Sequence, residues 1–214
     1  MRSIGEFFYL LYLRVKVFFY NWKDERSIRS LFPSFKRLDQ ALLASPNPYR
    51  IPKAFPYGET PLFTFKQMAD RWHITDSDYV IELGCGRGRG SFFLAHYTGC
   101  TVKGIDWTPS FISHATTVAS QFPHLGVSFA CKDMRQADLS RATVIYLYGT
   151  CLDEASIEAL SQMFHKLPSA TKIITVSYPL PYFLVKDEFV GSFPWGKTEI
   201  YLQSHQGSEI PQDL

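Results

Sequence analysis

Residues 79–106 read YVIELGCGRGRGSFFLAHYTGCTVKGID, and the way this stretch divides decides the fold. Tyr79–Leu83 is a short apolar run that stops at glycines, which predicts a strand buried on both faces. Gly90–Tyr97 keeps bulky apolar side chains together until Gly99 and predicts a helix. Thr101–Asp106 returns to β-branched and apolar residues and predicts a second strand. A strand, a glycine-rich turn, a helix and a strand in that order form a βαβ unit, so the two strands run parallel.

The alternation continues outward. Downstream, helices are expected at Ser110–Gln121 and Asp153–Lys166, and strands at Val127–Ala130, Thr143–Tyr148, Lys172–Ser177 and Glu199–Gln203. Upstream, Phe63–Trp72 reads as a short helix. The expected fold class is α/β: a Rossmann-like, mostly parallel seven-stranded sheet with helices on both faces, plus an N-terminal helical extension. The segment 45–61, SPNPYRIPKAFPYGETP, contains five prolines and a glycine and suits neither a helix nor a central strand. It divides an aromatic-rich, basic extension (1–45) from the main domain (46–214).

Residues 1–50 hold nine Lys/Arg against four Asp/Glu, while the rest of the chain holds 13 against 16, so the net charge of +2 conceals a basic N-terminus. The longest apolar run there, Phe7–Leu13, is seven residues, far short of a bilayer span. As a helix it would align Ile4, Phe8, Leu11, Val15, Phe18 and Trp22. Two readings stand: a helix packed on the domain or a partner, and a helix lying at a membrane surface with Arg14, Lys16 and Lys23 toward lipid phosphates. In both, residues 1–24 are expected to be dispensable for cofactor binding. The cysteines, at 85, 100, 131 and 151, form no C-x-x-C pair and no metal-ligand spacing, so no metal is expected and the compartment reads as reducing and cytoplasmic.

The loop carries the chemistry. A dinucleotide site requires G-x-G-x-x-G, but counting from Gly84 the third position is Arg89, and counting from Gly86 it is Ser91. The pattern that fits is acid-x-G-x-G-x-G, with Glu82 at the strand end and Gly84, Gly86 and Gly88 behind it. An acid there suits a ligand with a cationic amine rather than a pyrophosphate, so the expected cofactor is S-adenosyl-L-methionine. Asp106, ending the second strand, is placed to accept from both ribose hydroxyls or, as a plain turn residue, to open the next helix. Trp107 is placed for the adenine face or the core. Asp133 and Met134, after the third strand, are placed for the adenine edge or for a surface turn.

Other motifs extend the pattern. YGETP at 57–61, Gln67–Met68, TDSD at 75–78, ATVIYLYGTCL at 142–152, KIITVSYPL at 172–180 and WGKTEIYL at 195–202 stand in order around the loop. The set resembles the non-SET histone lysine methyltransferases of the disruptor-of-telomeric-silencing type and their smaller bacterial relatives, over roughly residues 46–205. The resemblance implies a class I methyltransferase fold. It implies that Tyr57, Glu59 and Thr60 close over the methionine part of the cofactor, that Glu82, Gly84 and Gly86 hold its amino-acid end, that Asp106 holds the ribose, and that Asp133 with Met134 holds the adenine. Where the family has consecutive asparagines after the fourth strand, this chain has Tyr148 and Gly149; where the family has paired aromatics near the last strand, it has Ile200–Tyr201.

The expected activity is methyl transfer to a protein lysine. Such an amine must arrive neutral, and Tyr148, Thr150 and Tyr201 are the candidate catalytic residues lining its path. The tyrosines read equally well as half-buried strand residues. The alternatives are a small-molecule, lipid-associated or RNA acceptor, and a cofactor-binding module without catalysis. The acidic balance from residue 51 onward argues against a nucleosome partner. Peripheral membrane contact through residues 1–24 is the remaining partner expectation.

Overall fold

The computed structural model describes residue 15 and residues 19–28, 30–44, 58–149 and 152–205. Seven strands form one sheet in the order β3-β2-β1-β4-β5-β7-β6. They are β1 Tyr79–Leu83, β2 Thr101–Asp106, β3 Val127–Cys131, β4 Val144–Leu147, β5 Lys172–Val176, β6 Leu184–Phe193 and β7 Gly196–Ser204. β1 to β5 are parallel, and β7 is antiparallel to both β5 and β6. Residues 19–28 are helical, and the helices with described limits are α1 Lys36–Leu43, α2 Leu62–Arg71, α3 Arg89–Thr98, α4 Pro109–Gln121 and α5 Glu154–Phe164. The strand order reverses at β1/β4, which places a crevice at the carboxyl ends of these two strands.

Strand alternation sorts the core into two layers. Val80, Val102, Val144, Tyr146, Ile174 and Ile200 face one side, against α3 and its neighbours. Ile81, Leu83, Ile105, Ile145, Leu147 and Ile173 face the other, against Leu160 and Phe164 of α5.

β6 is the strand that apolar runs do not reveal. Its sequence, LVKDEFVGSF, carries three adjacent charges and lies at the sheet edge, mostly exposed. Charged residues on an edge discourage pairing with another chain, and they also erase the hydrophobic signal. The hairpin turn between Phe193 and Gly196 consists of Pro194 and Trp195.

The described part of the N-terminal extension is integral to the domain. Ile28, Phe35, Leu38 and Leu42 belong to the same apolar cluster as Phe92 and Phe93. Phe35 meets Phe93 edge-on at 5.6 Å, and Ser34 bonds His96 at 3.0 Å. A second tie explains why α2 starts where it does. Its N-cap is Pro61, which has no capping side chain. The carboxylate of Asp24 takes over, accepting from the Leu62 and Phe63 amides at 3.0 and 3.1 Å. The Tyr20 hydroxyl donates to the Ser192 carbonyl at 2.7 Å. Of the expected apolar stripe, Val15 and Trp22 are exposed, whereas Ile4, Phe8, Leu11 and Phe18 lie outside the described residues. No helix among the described residues is long and apolar enough to cross a membrane.

Candidate active site

The glycine loop turns between β1 and α3 with Gly84, Gly86 and Gly88 all at positive φ. Gly88 is the most constrained. Its φ is +80°, and a Cβ there would lie 2.5 Å from the Phe129 ring. The loop is pinned to the end of β2: the Gly84 and Cys85 amides donate to the Ile105 carbonyl at 2.8 and 3.0 Å. Asp106 is buried and accepts from the Gly86 amide at 2.9 Å and from the Thr108 amide at 2.8 Å. Asp106 thus shapes the loop as well as facing it. Trp107 is 64 % exposed beside it, so the core alternative for this residue falls.

Glu82 stands in register between Gly104 of β2 and Tyr146 of β4, at the floor of the crevice. It is buried and accepts from the Ser91 hydroxyl at 2.5 Å. Burial pushes its pKa up to about 8; the nearby carboxylates of Glu59 and Asp106 push the same way, and the Ser91 hydroxyl pulls against them. Such an acid holds its proton at neutral pH until a cation arrives to share the site.

Residues 58–60 line the same cleft as Glu82, Gly84, Gly86, Arg89 and Tyr148. Glu59 grips Arg87 through two contacts, 2.5 and 2.9 Å, and the Thr60 hydroxyl bonds the Tyr146 hydroxyl at 2.5 Å. The end of the proline-rich segment is therefore an ordered wall of the cleft. Tyr57 lies outside the described residues.

Met134 reaches the loop, its Cε 3.8 Å from where a Gly84 Cβ would stand. Asp133 caps the short 3-10 turn Met134–Gln136, and its carboxylate is engaged by the Arg135 amide at 2.9 Å and guanidinium at 2.6 Å. In this arrangement Asp133 serves the turn, and Met134 is the member of the pair that meets the glycine loop.

Of the three candidate catalytic residues, the two that are described, Tyr148 and Tyr201, do not come together. Tyr148 lines the cleft. Its ring meets Trp195 edge-on at 5.9 Å and Phe193 at 6.4 Å. Tyr201 is opposite Thr175 and Glu188, on the sheet face away from Ile200 and Tyr146. A period of two places Ile200 and Tyr201 on opposite faces, so they cannot form one aromatic wall. Phe193 and Trp195, 4.9 Å apart, stand there instead. Thr150 lies outside the described residues. Cys85 is buried among the acids, and burial pushes its thiol well above the ordinary range, so it is no nucleophile.

Sequence reasoning missed Arg87, Arg89, Tyr146, Phe193 and Trp195. Two signals pointed toward them: arginines interleaved with the glycines of GRGRG, and the tryptophan of WGK. Among the described residues, no group of His, Cys, Asp or Glu could hold a metal.

Residues 80–172 match a family model described as a methyltransferase domain. An RNA methyltransferase from Salinibacter ruber, solved with S-adenosyl-L-homocysteine, is 24% identical; the match covers 73% of this chain and 98% of that one at a TM-score of 0.60. A putative RNA methyltransferase from Pyrococcus horikoshii is 15% identical, with 79% and 97% covered and a TM-score of 0.59. A mutant of MtNAS solved with S-adenosylmethionine is 15% identical, with 85% and 77% covered and a TM-score of 0.58. No curated protein matches the chain. Residues 80–172 thus match a methyltransferase domain, and the seven-stranded sheet has the fold of the class I enzymes, whose cofactor is S-adenosylmethionine. The cleft fits that cofactor: glycines leave room for close backbone approach, a buried acid awaits a cation, and one buried guanidinium nitrogen of Arg89 has no hydrogen-bond partner among the described residues.

Proposed function

We propose that this methyltransferase acts on an amine acceptor, a protein lysine side chain, entering beside Tyr148. In this reading Glu82, Gly84 and Gly86 hold the amino-acid end of the cofactor under Glu59 and Thr60. Asp106 takes the ribose, Trp107 and Met134 flank the adenine, and Gly88 shapes the turn. When bound, the cofactor supplies a methyl group made electrophilic by its sulfonium. The chain contributes alignment, which accounts for most of the acceleration in a reaction of this type.

One observation carries the choice of acceptor: Tyr148 lines the cleft, its ring packs against Phe193 and Trp195, and the Trp195 ring is 2.9 Å from where a Cβ on cleft-lining Gly58 would stand. An aromatic wall excludes water, disfavours the ammonium form of an arriving lysine and lets a neutral amine attack. Tyr148 supplies the hydroxyl on this wall. Tyr201 has no part in it, because its side chain is on the opposite face of the sheet.

The acidic balance of the region from residue 51 onward supports a protein acceptor over a polyanion. The test is incubation with radiolabelled cofactor and, in separate reactions, cell lysate, free histones, nucleosomes, total RNA and a lipid extract. Label in protein, removed by blocking lysines beforehand, is the expected result. Label in RNA or lipid alone would overturn the acceptor assignment.

A further inference from the structure

The cleft is lined by two acids, Glu59 and Glu82, and one base, Arg89. Glu59 is already held by Arg87. That leaves Glu82 and the Nη2 of Arg89, an acid and a cationic donor in one cleft, a pairing that suits a zwitterion.

Arg89 opens α3 directly after the glycine loop and is 5 % exposed. Its Nε donates to Asp39 of α1 at 2.8 Å, and its Nη1 is 3.8 Å from the Asp24 carboxylate. Its Nη2 is buried without any hydrogen-bond partner among the described residues. A guanidinium presents its donors in a rigid fork, and an unmatched one in a dry site is costly. The N-terminus of α3 is adjacent, and its N-cap, Gly88, offers no side chain of its own. A buried guanidinium nitrogen without a partner, beside a helix start, points to one kind of ligand group, an anion.

We propose that Arg89, through Nη2, anchors the carboxylate of the cofactor's amino-acid end, with Asp39 and Asp24 holding the guanidinium in position. The inference rests on the cofactor reading above and deepens it: the N-terminal helices become part of the cofactor site. Arg89 is a binding residue, and Asp39 and Asp24 are positioning residues.

The test compares S-adenosylhomocysteine with its decarboxylated analogue, which lacks only the carboxylate, by calorimetry on the full chain. Wild-type protein is expected to prefer the parent ligand by at least about tenfold, the scale of one charge-assisted hydrogen bond. In Arg89→Gln/Asp39→Asn, which removes both buried charges together, the preference should fall to within about threefold, while affinity for the decarboxylated ligand barely changes. Arg89→Lys keeps the charge for Asp39 and shortens the reach, and should lose most of the preference if the double variant does not fold. Equal affinities in the wild type, or a preference that survives in the folded variants, would overturn the anchor while leaving the cofactor assignment intact. Binding of neither ligand would overturn both.

Discussion

The floor and the walls of the cleft are assembled in different ways. The floor comes from one continuous stretch, in which Glu82, the glycines and Ser91 are within ten residues of one another and the loop closes on the Ile105 carbonyl and Asp106. The walls are gathered from afar: Asp24 and Asp39 from the N-terminal helices, Thr60 against Tyr146, Tyr148 from the end of β4, and Trp195 from the β6–β7 turn. A binding floor made by local chain geometry keeps its chemistry across many proteins with this fold. Walls made by tertiary contact set what else enters, and each wall can be altered while the floor stays intact.

The largest effect should come from the floor itself. Glu82→Gln is expected to weaken S-adenosylhomocysteine binding by about a hundredfold, because a neutral amide cannot match an ionised acid facing an ammonium. The same change should stabilise the ligand-free protein. With its pKa raised to about 8 from 4.5, folded Glu82 stays protonated where the unfolded chain has ionised. The folded state therefore binds more protons between these values, and stability falls as pH rises through that window. Thermal melts at pH 5 and pH 8 should show the wild type losing stability at the higher pH through this residue, and Glu82→Gln escaping that loss. A variant that binds normally would show that the floor does not work through this acid.

Next is Asp106→Ala. It removes an acceptor proposed for the ribose and releases the Gly86 and Thr108 amides. Affinity should drop about ten- to a hundredfold, roughly 1.5–3 kcal/mol, in a protein that still folds. An unchanged dissociation constant would take Asp106 out of the site.

The walls should separate binding from turnover. Trp195→Ala is expected to lower kcat about tenfold while cofactor affinity stays within about threefold. Tyr201→Phe, on the other face of the sheet, should change neither by more than about twofold. Equal losses in the two variants would mean that the aromatic wall is not where the acceptor enters.

The smallest effect concerns the extension. Residues 1–24 were expected to be dispensable for cofactor binding, but Asp24 caps α2 and flanks Arg89. Asp24→Ala should cost roughly 1–2 kcal/mol in urea unfolding, the value of a lost cap, and should weaken cofactor binding by a few-fold. A variant as stable as the wild type would return the extension to the status of an appendage.

What the sequence made legible follows the same division. β1 and β2 were expected at their observed limits, and α3 and α4 to within one residue at each end. Buried parallel strands and the helices between them write their burial into consecutive residues. β6 did not, because an edge strand with Lys186, Asp187 and Glu188 toward solvent has no apolar run to read. The Ile200–Tyr201 pair failed as a wall for a related reason. Adjacency along the chain is not adjacency in the site, because the pleat sends neighbours to opposite faces. Arg89 looked like a loop residue, and its partners are 50 and 65 positions upstream, beyond the reach of any local pattern.

Glu82 is a buried acid that should give up its proton to a cationic ligand, and proton-linked calorimetry tests this most directly. S-adenosylhomocysteine is titrated into the wild-type protein at pH 7 in two buffers of different ionisation enthalpy, with NAD as the control ligand. With Glu82 near a pKa of about 8, binding should release close to one proton, and Glu82→Gln should abolish that release. NAD should give no heat. Binding of S-adenosylhomocysteine with no proton released, or heat from NAD alone, would contradict the account.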